Sequence, residues 1–158
     1  DEVSCMVTPY DGIDYGESVS GSAPIGNTAP SLVSASISPE VAFRSNELTC
    51  TWDGYDDIDG EVDQSIATWI VNGEEVHTGP TLAGNMAEEG DIVRCEVLAY
   101  DGTDAGNEVM TYVIIADSVP QIDSVSIVPE PAHRDSILQC LWHGYFDADG
   151  DPDNSTVV

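Results

Sequence analysis

The chain has 158 residues, of which 30 are acidic and three basic, giving a formal net charge of −27. It has no lysine, and Arg44, Arg94 and Arg134 are its permanent cations, so its field repels a phosphate backbone and excludes nucleic-acid binding. Alternating runs of Val, Ile, Trp and Tyr bury enough apolar surface to exclude disorder as the explanation of the charge, and no stretch reads as a membrane-inserting segment.

Asp1 to Val7 alternates Val3, Cys5 and Val7 on one side and predicts a strand. Tyr10 to Gly16 is the turn after it, Glu17 to Ile25 a second strand, and Gly26-Asn27-Thr28-Ala29-Pro30 a linker. Leu32 to Ile37 predicts the next strand and Pro39-Glu40 a turn. Leu48 to Trp52, with Leu48, Cys50 and Trp52 on one face, leads into the acidic loop Asp57-Ile58-Asp59-Gly60-Glu61-Val62-Asp63. Ile66 to Val71 is a further strand closed by Asn72-Gly73, a hairpin signal, and Glu74 to His77 returns from it. Thr81 to Met86 predicts a short strand, Glu88-Glu89-Gly90-Asp91 an acidic turn, and Ile92 to Tyr100 a long strand. Asp101 to Gly106 turns into a last strand, Glu108 to Ile115. Seven or so short strands at this spacing predict a β-sandwich, and nothing reads as a helix.

The pattern then starts again. Shifting the sequence by about 90 residues pairs Cys50 and Trp52 with Cys140 and Trp142, and Asp57, Asp59, Gly60 and Asp63 with Asp147, Asp149, Gly150 and Asp153. The ungapped shift gives about 29 identities in roughly 68 pairs, and Cys5 falls on Cys95. The expected organisation is all-β, with tandem repeats of about 90 residues: 1–30 as the C-terminal part of one, 31–119 complete, and 120–158 as the N-terminal part of the next. On this reading the chain is a window from something longer.

The acids gather near glycines at matching places, which points to divalent-cation loops; the plainer reading is solubility in a salty medium. Asp57, Asp59, Glu61 and Asp63 alternate, so a curled loop turns several hard oxygen donors inward, as Ca²⁺ requires. Asp147, Asp149, Asp151 and Asp153 repeat the set, with Asp151 in place of Glu61. The loop is not an EF-hand, which needs a glycine at its sixth position, a bidentate Glu at its twelfth and flanking helices. Asp101 with Asp104, Asp11 with Asp14, and Glu88 with Glu89 complete the candidate ligands. His77, His133 and His143 have no matching copies, and no nucleophile motif is present, so the expectation is a protein without catalytic activity. Carboxylates that recur in clusters argue against a single glycosidase pair.

The succession Cys50, Trp69, Cys95, with a linker ending in Pro, Asp57-Ile58-Asp59-Gly60, Trp69-Ile70-Val71-Asn72-Gly73, Gly90-Asp91-Ile92-Val93-Arg94-Cys95 and Tyr100-Asp101-Gly102, resembles tandem Ig-like repeats. It is similar to those of very large secreted or surface proteins of bacteria and archaea, related in style to PKD and cadherin-like modules. The resemblance implies a secreted, disulfide-bonded, Ca²⁺-stabilised stalk, adhesin or filament. Its partners would be neighbouring repeats of the same chain and identical chains in a fibre. It also implies a Cys50–Cys95 disulfide with Trp69 packed beside it, and hence an extracellular location; buried free thiols are the competing reading. Cys5 and Cys140 belong to different repeats and are not assigned to each other. The alternative function is a carbohydrate- or ligand-binding accessory module of a secreted enzyme. Two geometric expectations follow: the loop Asp57–Asp63 and the turn Asp101–Asp104 share one end and a cation, and the acidic end of each repeat faces Glu88, Glu89 and Asp91 of the repeat before it.

Overall fold

In the computed structural model, which describes residues 1–158, the chain is all-β, with twelve strands in four sheets and one 3₁₀ turn, Gly84–Met86. β1 (Glu2–Val7) and β2 (Val19–Pro24) form an antiparallel pair. β3 (Ser34–Ser38), β5 (Leu48–Asp53) and β8 (Thr81–Leu82) form a three-stranded sheet in the order β3-β5-β8. Facing it lies a five-stranded sheet, β4-β10-β9-β6-β7, from β4 (Ala42–Phe43), β10 (Ala105–Ala116), β9 (Ile92–Tyr100), β6 (Ile66–Val71) and β7 (Glu74–Thr78). β11 (Ser124–Val128) and β12 (Gln139–His143) form the last pair.

Every buried residue lies between Pro30 and Asp101 or on β10 at Val113 and Ile115. Period-two alternation produces this: Val93, Cys95, Val97 and Ala99 of β9 are fully buried, while the residues between them face outward. Cys50 of β5 and Cys95 of β9 are joined, with Cα atoms 6.4 Å apart, so a covalent bond ties the two facing sheets at their centre. Trp69 of β6 sits directly opposite Cys95 in the ladder, has no exposed surface, and donates its indole N–H to Gly79 O at 2.9 Å. That bond removes the penalty of burying an indole nitrogen. The disulfide points to an oxidising compartment.

Three details depart from the sequence reading. No strand is foreseen between Ile37 and Leu48, yet Ala42–Phe43 crosses to the other sheet and pairs in parallel with Ile115–Ala116. Two residues are too few to carry a period, although Ala42 is fully buried. Thr81 to Met86 is a strand only as far as Leu82, after which the 3₁₀ turn takes over. The turn after β9 ends at Asp104, and β10 begins at Ala105 with an irregularity before Glu108. Gly106 lies there, and a Cβ on it would collide with the Pro30 carbonyl, so the linker crosses the sheet only because this residue has no side chain. Asn72-Gly73 does form the β6–β7 turn, with φ of 51° and 92°, as a two-residue hairpin requires.

The strand pairs at either end copy this body. β1–β2 pairs Cys5 with Gly21 as β9–β10 pairs Cys95 with Thr111, and β11–β12 pairs Ile127 with Cys140 as β3–β5 pairs Ile37 with Cys50. Closing the 45-residue separation between Cys50 and Cys95 restricts the unfolded chain by about 4 kcal/mol in the chain-entropy account. Replacing both by Ser is expected to lower the thermal midpoint by about 10–20 °C in calorimetry.

Candidate metal centre

The acidic loop after β5 is shaped by its own aspartates. Asp57 Oδ1 accepts the amides of Asp59 at 2.8 Å and Gly60 at 3.0 Å, and Gly60 takes φ of 83° to complete the curl. Spending one oxygen on the backbone leaves Asp57 Oδ2 buried with no hydrogen-bond partner, beside an equally unpartnered Glu61 Oε2. Oxygens of Asp57, Asp59 and Glu61 lie within 4.8 Å of one another. Burial first, then the nearness of the Asp57 carboxylate and the charges of Asp57 and Asp59, push the Glu61 carboxyl above its ordinary value.

Asp63 is drawn elsewhere. Its Oδ2 accepts the Trp52 indole N–H at 2.9 Å and its Oδ1 the Ser65 amide at 2.8 Å, so it fixes the loop to the strand below and is not part of the triplet. Burial opposes its ionisation, but the bonds from Ser65 and Trp52 prevail and hold it below the usual value.

The turn Asp101–Asp104 shares this end of the body, as expected. Gln64 donates its backbone N–H to Tyr100 O and its side-chain amide to Asp101 O, both at 2.8 Å. Tyr55 responds to both acidic elements: burial, then the charges of Asp57, Asp101, Asp63 and Glu61, raise its hydroxyl. Asp101 and Asp104 do not join the triplet. Asn27 of the linker bridges them, donating to Asp101 Oδ2 at 2.8 Å and Asp104 Oδ2 at 3.0 Å, while Asp101 Oδ1 accepts the amides of Thr103 and Asp104. Thr28 places its amide 2.6 Å from Asp59 Oδ2. The linker is therefore pinned on this acidic end. Asp11 repeats the turn, its Oδ1 accepting the amides of Ile13 and Asp14, and neither Asp11 nor Asp14 belongs to a carboxylate triplet.

The second loop copies the first. Asp147 Oδ1 accepts Asp149 and Gly150 amides, Asp153 holds the Trp142 indole at 2.8 Å, and Ser118 gives its amide to Asp149 Oδ2 at 2.6 Å. Here the loop meets the far end of the central body. Glu89, Asp117 and Asp149 bring carboxylate oxygens within 4.8 Å of one another, and Asp149 Oδ1 is buried without a partner. Burial, then Asp117, Asp151, Asp149 and Asp147 in that order, raise the Glu89 carboxyl. Glu88 is held apart by Arg44, whose guanidinium makes two bonds to it of 2.9 and 3.0 Å and a third to Asp149 O at 3.2 Å. Asp151 and Asp153 lie outside this triplet, as does Asp91, which accepts from Asn72 and from the Glu88 amide.

Sequence reasoning therefore missed Asp117, Asn27 and Arg44. The signal for Asp117 was its place in the linker, where it stands where Asn27 stands one unit earlier, next to the residue whose amide meets the loop. Both triplets offer only carboxylate oxygens, which fit a hard cation with water and backbone oxygens completing its shell, and do not fit zinc or copper. Comparison of the chain with protein families, curated proteins and solved structures gives no match.

Asp101 supplies a pH test. It is 3 % exposed, and although burial resists its charge, the bonds from Asn27, Asp104 and Thr103 lower its carboxyl below the ordinary 3.8. A folded value below the unfolded one contributes stability that is whole above pH 3.8 and is lost as pH falls through the folded value. Asp101→Asn is expected to have the lower thermal midpoint at neutral pH, with the difference from the parent shrinking below pH 3.8.

Proposed function

We propose that this chain is part of a tandem array of Ig-like repeats, stiffened by Ca²⁺ at its joints, which serves as an extracellular stalk, adhesin or filament and carries out no catalytic step. The observation that carries this reading is the triplet Glu89, Asp117 and Asp149. Its members come from the turn before β9, the linker after β10 and the loop after β12, three segments with no common element. Left bare, three such carboxylates repel across the joint, and the unpartnered Asp149 Oδ1 adds the cost of a buried orphan acceptor. A cation among them reverses both terms and fixes the angle between the bodies.

The Asp57, Asp59 and Glu61 triplet lies at the other linker and has one member in common with it by position, Asp59 bound by Thr28 as Asp149 is by Ser118. Ca²⁺ suits such sites because it accepts irregular shells of six to eight oxygens, whereas Mg²⁺ demands a regular octahedron. The alternative of a carbohydrate-binding module calls for an open row of aromatics. Trp69 is buried and the Trp52 and Trp142 indoles are tied to Asp63 and Asp153; Tyr10 and Tyr15 stack at 4.4 Å on the surface, but Tyr15 has Ala105 as its counterpart.

Small-angle scattering of the 158-residue chain with Ca²⁺ and with chelator tests the reading. A more extended, better-defined particle is expected in Ca²⁺, and Asp149→Asn is expected to remove most of that response. An unchanged maximum dimension, with the protein folded in both media, would sink it.

A second expectation concerns the first loop. A ligand present at a hundred times its dissociation constant stabilises by about 2.7 kcal/mol. Asp59→Asn should therefore remove a Ca²⁺-dependent gain of about 10 °C or more in thermal midpoint while shifting the midpoint in chelator far less.

A further inference from the structure

The ladders lay out the outer face of the five-stranded sheet. Leu98 of β9 stands between Ile66 of β6 and Glu108 of β10, Glu96 between Thr68 and Met110, Arg94 between Ile70 and Tyr112, and Ile92 beside Ile114. An antiparallel sheet face in water ordinarily carries polar residues. Here Ile66, Ile92, Leu98, Met110, Tyr112 and Ile114 are all exposed, from 38 % for Leu98 to 68 % for Tyr112. They bare roughly 650 Å² of mainly apolar surface, above the few hundred Å² usual in a monomer and close to the ~800 Å² that each partner covers in a standard interface. The fold does not require this. At the equivalent places of β1–β2 the inward residues are kept, with Val3, Cys5 and Val7 for Val93, Cys95 and Val97, but Glu2, Thr8, Ser20 and Ser22 stand for Ile92, Leu98, Met110 and Tyr112.

From this face we infer that two copies of the chain associate about a two-fold axis, the outer sheet of one against the outer sheet of the other. The charges on the face identify the occupant. Its one cation is Arg94, whose Nη2 meets Glu96 at 2.7 Å while its Nε has no acceptor. A two-fold axis that crosses β9 between these two residues sets Arg94 of each copy opposite Glu96 of the other. Four charges then alternate around the axis, Leu98 faces Ile92, and Met110 faces Tyr112. The surface is complementary to itself in charge and in apolarity together. Glu75 and Glu108, both exposed, stand at its margins and keep their water. Copies with a net charge of −27 repel one another at a distance, so the contact depends on apolar burial and strengthens as salt screens the charge.

The contact uses no member of either carboxylate triplet, so it goes beyond the calcium reading and does not rest on it. The test is sedimentation equilibrium of the 158-residue chain in chelator, with Cys5→Ser and Cys140→Ser throughout so that no disulfide links the copies. At about 0.1 mM protein, raising salt from about 0.05 to 0.5 M is expected to shift the mass from monomer towards dimer. Tyr112→Asp, at an exposed position, should weaken the dimer at least ten-fold while the thermal midpoint stays within a few degrees of the parent's. The two-fold geometry has its own signature. Arg94→Glu and Glu96→Arg should each lose the dimer alone, through like charges facing across the axis, and should form a heterodimer when mixed.

Monomers at every salt concentration would leave the face to a different protein and overturn the inference. So would a dimer indifferent to Tyr112→Asp, a dimer that salt weakens, or charge variants that associate no better mixed than apart. A salt-strengthened dimer in chelator from a chain whose dimensions ignore Ca²⁺ would keep this inference and remove the calcium reading; a monomer that Ca²⁺ extends would do the reverse.

Discussion

A net charge of −27 on 158 residues is the constraint under which everything else in this fold is arranged. With three arginines, ion pairing cannot balance the carboxylates, and just two side-chain salt bridges exist, Arg44 with Glu88 and Arg94 with Glu96. Backbone amides take over. Asp11, Asp57, Asp101 and Asp147 each accept amides from residues two and three positions later, so each turns the chain sharply while lowering the energy of its own negative charge. The amide supply is finite, and once Oδ1 is satisfied the second oxygen of Asp57 has none left.

Much of this was readable from residue order. Alternation placed Leu48 and Cys50 on an inward face because a strand offers only two sides, the resemblance to Ig-like repeats brought Trp69 and Cys95 to Cys50, and Asn72-Gly73 marked its hairpin because few other pairs tolerate two successive positive φ values. The acidic loops were legible as curls because Asp and Gly recur at fixed spacing. What could not be read was which oxygen each carboxylate would have left over. Asp63 looks like its neighbours Asp57 and Asp59 in sequence, yet the Trp52 indole claims it, and that contact depends on how far the loop folds back over β5. Asp117 was invisible for a related reason: it becomes part of a cluster only when the linker brings two bodies together, and no local pattern records that meeting. Two-residue β4 was lost to its own brevity.

The two joints are alike in backbone and unlike in charge. Thr28 and Ser118 perform the same amide contact, but Asn27 before the first is a donor that bridges Asp101 and Asp104, whereas Asp117 before the second is a further acceptor facing Glu89. The first joint is satisfied within the chain. The second concentrates negative charge, so its geometry is the more sensitive to the ionic medium.

The cross-sheet bond between Cys50 and Cys95 also determines how the body would yield if pulled by its ends. Tension entering at the linker of one side and leaving at the other can straighten only the chain outside the closed ring. The 45 residues between the two cysteines, which would otherwise pay out about 150 Å of contour, stay locked. β6, β7, β8 and half of the buried hydrophobic residues, the two cysteines included, lie on that ring. A molecule stretched in an oxidising medium therefore lengthens only by the chain outside the ring and retains a closed remnant from which to refold, whereas the reduced protein would unravel to nearly its full extent.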